Sequence, residues 1–247
     1  MMRLSLVLLS LLLVTGCATS PPVNTDNLCA IFREKDDWYD EAADARDNWN
    51  SPIPIMMAIL HQESRFDAKA KPPRSRILGF IPGPRPSSAY GYSQAKKTTW
   101  AEYKRSAGRF GADRDDFGDA IDFVGWYNAQ SRKRSGIATD DAYALYLAYH
   151  EGHGGYNRAT YRQKPWLTRV ATRVKLRAGQ YQSQLASCEE DLKDDGWFSQ
   201  GGGLSVRLSC PHARTRIYSP DRGAAVHRRL YGELALERVP GNSRAHL

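Results

Sequence analysis

Residues 53–66 read Ile53-Pro54-Ile55-Met56-Met57-Ala58-Ile59-Leu60-His61-Gln62-Glu63-Ser64-Arg65-Phe66. A surface helix keeps its apolar residues on one stripe. Here seven of the eight residues from Ile53 to Leu60 are apolar, with no polar face among them. The segment is therefore a buried helix, with Pro52 and Pro54 suited to its first turn and an end near Ser64. Glu63, three residues past Leu60, falls at the rim of the core. Desolvation there raises a carboxyl pKa, which suits a general acid. The plainer reading is a glutamate that reaches solvent at a helix end, the commoner fate of the residue.

Around this segment the pattern stays helical. Leu28 to Trp49 is rich in Ala, Asp, Glu and Arg. Helices are expected over residues 94–107, over residues 117–132, from a Thr139 N-cap to about Glu151 with Gly152 as the stop, and over residues 164–188. Residues 71–88 carry Pro72, Pro73, Pro82, Pro84 and Pro86 and form a long loop, the kind often tied to function. No convincing strand, phosphate-binding glycine loop or internal repeat appears before Cys188. The expected class is all-α.

The N-terminus reads as a targeting segment. One arginine precedes an apolar run from Leu4 to Val14, too short to span a bilayer comfortably. Val14-Thr15-Gly16-Cys17 resembles the bacterial lipobox. That resemblance implies export, cleavage before Cys17 and lipidation of Cys17, and Ala18 after it points to the outer membrane, facing the periplasm. Residues 1–16 are then the signal, 17–28 a flexible tether, 29–199 the folded domain and 200–247 a disordered tail. In an oxidising compartment a disulfide is expected. Cys29 and Cys188 bracket the helical body and are paired, leaving Cys210 odd.

The formal net charge is +8, and residues 200–247 hold eight arginines, no lysine and only three acidic residues. The basic balance thus sits mostly in the tail and gives weak grounds for a nucleic-acid partner, so none is assigned.

Three stretches carry chemistry: Glu63-Ser64-Arg65-Phe66, Gly91-Tyr92-Ser93-Gln94 and Ala148-Tyr149-His150-Glu151-Gly152. Their order and separation resemble the lytic transglycosylase SLT family of the lysozyme superfamily, whose patterns are E-S-x-F, G-x-x-Q and A-Y-N-x-G. Tyr92 and Ser93 stand where Leu and Met are usual, and His150 stands where Asn is usual. The resemblance spans roughly residues 50–185. It implies a lysozyme-like (SLT-type) helical domain that cleaves the bond between N-acetylmuramic acid and N-acetylglucosamine in peptidoglycan strands. Glu63 would serve as acid and then base, closing a 1,6-anhydro ring without water.

The resemblance also implies substrate contacts. Gln94 and Tyr149 line the cleft, Tyr90 and Gly91 stand in the same segment as Gln94, and Ser87 precedes it to meet an N-acetyl group. Ser64 holds the helix end, and His150 replaces the asparagine. Helix capping for Ser64 and Gln94 and packing for Tyr149 account for those residues equally well. No cofactor is implied. His150-Glu151-Gly152-His153 is a shortened zinc-protease helix with the wrong spacing, so no metal is assigned. A hydrolase using Glu63 and water stays open, with Asp67, Asp113, Asp115, Asp116, Asp119 or Asp122 as partner. So does a cell-wall-binding protein without turnover.

Overall fold

The computed structural model describes residues 20–77 and 80–198. Cys17, Cys210, the expected signal over residues 1–16 and the expected disordered tail over residues 200–247 lie outside them. Among the described residues there are seven α-helices: α1 (Leu28–Glu34), α2 (Trp38–Trp49), α3 (Ile53–Ser64), α4 (Lys97–Ser106), α5 (Phe117–Ser135), α6 (Ala142–Asn157) and α7 (Pro165–Phe198). A 3₁₀ turn, Thr160–Gln163, joins the last two. The architecture is mainly helical. The proline-rich loop adds one small element not expected from sequence, an antiparallel ladder of β1 (Arg76–Ile77) and β2 (Ile81–Pro82).

The core forms around α3 and α5. All eight residues from Ile53 to Leu60 are buried, as a helix without a polar face must be. Along α5 every residue from Phe117 to Asn128 is buried. Gly118 and Gly125, seven apart on one face of α5, let α2 pack close: a Cβ at Gly125 would sit 2.8 Å from the Trp49 ring. Helix α7 covers α3 and α6. Its stripe of Leu167, Val174, Tyr181, Leu185 and Cys188 is buried.

Cys29 and Cys188 are bonded, tying α1 to α7 across 159 residues of chain. The preceding stretch, expected to be a loose tether, is docked from Pro22 onward. Asp26 pairs with Arg177 at 2.7 Å, Tyr181 donates to the Thr25 carbonyl, and the Leu28 amide donates to Gln184 at 2.8 Å. Polar composition did not reveal these contacts.

Three boundaries differ from expectation. The stretch 28–49 breaks at Lys35-Asp36-Asp37 into two helices. Asp141, not Thr139, caps α6, accepting from the Ala144 amide at 3.0 Å. Gly152 does interrupt α6, at φ 72°, but a further helical turn follows it to Asn157.

Candidate active site

Helix α3 delivers Glu63 to its last turn, and the chain then reverses sharply. Arg65 (φ 52°) and Phe66 (φ 62°) both adopt the left-handed conformation, at a cost of order 1–3 kcal/mol each. Burial offsets it: Phe66 is fully buried and lies 5.8 Å from Trp38, centroid to centroid. Ser64 holds the same end, its hydroxyl donating to the Leu60 carbonyl at 3.3 Å.

The Glu63 carboxyl is pushed up to about 7, by burial, against a hydrogen bond from the Tyr146 hydroxyl that lowers it. Tyr146 and Tyr149 stand three apart on α6, on one face. The Tyr149 hydroxyl is raised well above its ordinary value, by burial and then by the Glu63 charge. It donates to the Ser93 carbonyl at 2.6 Å. Tyr149 is further held by the Tyr127 ring, 5.0 Å away edge-on, and Tyr127 donates to the Ala148 carbonyl at 3.2 Å.

The Gly91–Gln94 segment meets the chain that follows Glu63. The Gly91 amide donates to the Ala70 carbonyl at 3.0 Å. The Gln94 side-chain amide donates to the carbonyls of Ala70 and Gly91, both at 2.9 Å. Gln94 does not open a helix as expected. It sits in a turn at φ 49°, beside an isolated bridge between Tyr90 and Ala95, and α4 starts at Lys97. Tyr92 causes the delay by dropping into the core against Trp38 and Phe117, which stack at 3.7 Å. The three separated stretches thus converge: Glu63 on Tyr146 and Tyr149, Tyr149 on Ser93, and Gln94 on the Glu63 loop.

Gly91 has a backbone reason to be glycine. Its φ is 76°, and a Cβ would lie 1.9 Å from the Arg114 carbonyl oxygen. Gly91→Ala should cost roughly 3 kcal/mol through strain and overlap. Urea unfolding checks this, and a loss under about 0.5 kcal/mol would contradict it.

The other residues singled out by resemblance face their own neighbours. Tyr90 donates to Asp115 at 2.9 Å and is flanked by Lys71 and Arg114. Ser87 accepts from the Ala89 amide at 3.1 Å, within its own turn. His150 is about a third exposed, contacts Glu151, and meets the edge of Trp166 at 5.1 Å. His153 points elsewhere, stacked on Tyr127 and 3.1 Å from Ser131.

Glu151 is a structural acid. Burial would raise its carboxyl, but hydrogen bonds from Lys164, Thr160 and His150 and the Lys164 charge outweigh that and hold it at about 2. Five of the candidate second carboxylates are also engaged away from Glu63, Asp115 by the Tyr90 hydroxyl. Asp122 accepts from Trp49, Tyr103 and Arg109. Asp119 accepts from the Asp113 amide, Asp116 caps α5, and Asp67 accepts from the Lys69 amide. None of these acids contributes to the shift at Glu63.

A family model described as a transglycosylase SLT domain matches residues 5–188, about three-quarters of the chain. The chain belongs to the transglycosylase SLT domain family. Proteins with this domain act on peptidoglycan in the manner of lytic transglycosylases, and the SLT domain here carries the helical architecture and the convergent stretches just described. No curated protein matches the chain. Tyr146 is the residue bonded to Glu63 that sequence patterns missed, as they missed Tyr127 and Ser93, which hold Tyr149. A tyrosine in an apolar helix reads as packing, and its signal was only its three-residue spacing from Tyr149.

Proposed function

We propose that the protein is a lytic transglycosylase that cleaves the bond between N-acetylmuramic acid and N-acetylglucosamine without water. The observation that carries this reading is a single carboxyl, Glu63, held to about 7 by burial and bonded by Tyr146, with no second acid among the described residues acting on it. A carboxyl poised there is part-protonated at neutral pH, so it can give a proton and take one back.

The steps follow from that poise. Protonated Glu63 donates to the glycosidic oxygen, and the bond breaks through an oxocarbenium-like state. The Glu63 carboxylate then takes the proton of the muramyl C6 hydroxyl, whose oxygen closes on C1. The 1,6-anhydro product leaves and Glu63 is protonated again. Tyr146 steadies the carboxylate between the two transfers, and Tyr149, fixed by Ser93 and Tyr127, shapes the wall beside it. Gln94, Gly91, Tyr90, Ser87, Ser64 and His150 line or support the sugar path in this reading. Muropeptide analysis of digested sacculi tests it. New 1,6-anhydromuramic ends are expected, and new reducing ends alone would make the protein a hydrolase.

Activity should fall as pH rises through about 7, because cleavage starts from protonated Glu63. The Tyr146 hydroxyl favours the carboxylate. Tyr146→Phe should therefore lower kcat while moving this falling limb to higher pH. A pH–rate profile checks it, and an unmoved or lowered limb would contradict the pairing.

We further propose that Cys17 is the lipidated N-terminus of an outer-membrane protein facing the periplasm. The support is the Val14-Thr15-Gly16-Cys17 motif after an apolar run, inside the region matched by the family. With Pro22 docked, the four residues 18–21 separate Cys17 from the body, a reach of at most about 18 Å over five chain steps. Cys17→Ser should release the protein from membranes, and retention in the membrane fraction would refute the anchor.

A further inference from the structure

The last turn of α3 has a second open side. There His61, Gln62 and Arg65 face Arg173, Arg177 and Gln180 of α7 across a groove of about 270 Å³. Glu63 is not in its lining, but the groove adjoins the acid. Arg65 follows Glu63 by two residues, and the Arg173 charge reaches Tyr146, the tyrosine bonded to Glu63.

The groove is short of negative charge. It holds three guanidinium groups. Asp26, on the strap before α1, pairs with Arg177 at 2.7 Å. Arg65 and Arg173 form no ion pair with any described residue. Asp26 already reports the field: its carboxyl is held below the ordinary range, first by the hydrogen bond and charge of Arg177 and then by His61 and Arg65. His61 reports it in the opposite sense, pushed down to about 4 by burial and then by Arg177 and Arg65. Cations focused in a concave site attract an anion, and the guanidinium fork matches a carboxylate.

We propose that this groove binds the carboxylates of the peptide stem borne by the muramyl residue whose glycosidic bond meets Glu63. The groove then makes stem-bearing glycan a better substrate than bare glycan. Gln62 and Gln180 supply amides for the peptide backbone. The proposal rests on the glycan-cleaving reading above. It adds what recognises the branch of the substrate, while Glu63 attacks its backbone.

The test uses the full mature chain and two substrates: whole sacculi, and the same sacculi stripped of stems by an amidase. Wild type should prefer the stem-bearing form. Arg65→Gln with Arg173→Gln should reduce kcat/KM on that form about tenfold more than on bare glycan, the loss expected for charge-assisted bonds. Arg173→Gln alone, on the exposed face of α7, should show part of the same selective loss without touching the Glu63 helix end. No stem preference in wild type, or equal losses on both substrates, overturns the proposal. A second readout is independent of turnover. The free stem tripeptide, alanyl-γ-glutamyl-diaminopimelate, should shift the His61 ring resonances and raise the His61 pKa in wild type and not in the double variant. If wild type cleaves neither substrate, the lyase reading fails, and this titration alone decides the groove. A shift abolished by the variant upholds it, and no shift overturns it.

Discussion

Glu63→Gln is expected to abolish turnover and, above pH 7, to make the protein more stable. The first effect follows from acid–base help worth roughly 10²–10⁴-fold in rate, lost from a site where no other acid among the described residues acts on Glu63. The second follows from the cost of burying the charge. A glutamate of the unfolded chain titrates near 4.5, and the folded one near 7. The folded chain therefore keeps a proton that the unfolded chain releases. Stability falls as pH rises between those values and stays reduced above them. The full cost is roughly 3 kcal/mol. Glutamine carries no such charge, so the variant should melt up to about 10 °C higher than wild type at pH 8. The difference should close below about pH 4.5, where both chains are neutral at this position. Retained turnover within a few-fold of wild type, or equal melting at pH 8, would contradict the assigned role.

Loss of the Cys29–Cys188 bridge is the largest stability effect expected. The bond closes 159 residues, nearly the whole folded body. In the chain-entropy account a loop of that length stabilises by roughly 5 kcal/mol. That is comparable to the whole stability of many domains. Both cysteines are buried, so the double Cys→Ala variant keeps the packing while freeing the ends. Urea unfolding of that variant should show the loss, and a change below about 1 kcal/mol would mean that α1 and α7 hold together without the bond. The strap contacts of Asp26, Thr25 and Leu28 with α7 would then carry the N-terminal closure.

The helical character was legible where burial dictates composition. Ile53 to Leu60 has no polar face, which marks a buried helix, but the sequence leaves Glu63 at its end between the rim of the core and solvent, and only the structure buries it. The bridge was legible because two cysteines bracket the periodic region. What failed depends on local backbone geometry or on contacts distant in sequence. Asp141 and Thr139 are both competent caps, and only backbone geometry selects Asp141. Gln94 reads as a helix start until Tyr92 is drawn into the Trp38–Phe117 stack. Residues 22–27 read as a tether because polar composition does not reveal that Arg177, Tyr181 and Gln184 wait on α7. Tyr146 was hidden for the same reason, since its partner is 83 residues away in sequence.

The central claim is that Glu63 cuts the glycan without admitting water. Digestion of purified sacculi in heavy-oxygen water tests it most directly. A lyase closes the C6 oxygen of the sugar onto C1, so the new muramyl ends should carry no heavy oxygen and weigh one water less than hydrolysed ends. Heavy oxygen at C1 of the new ends would show that water attacks, and the single-carboxyl account would be wrong.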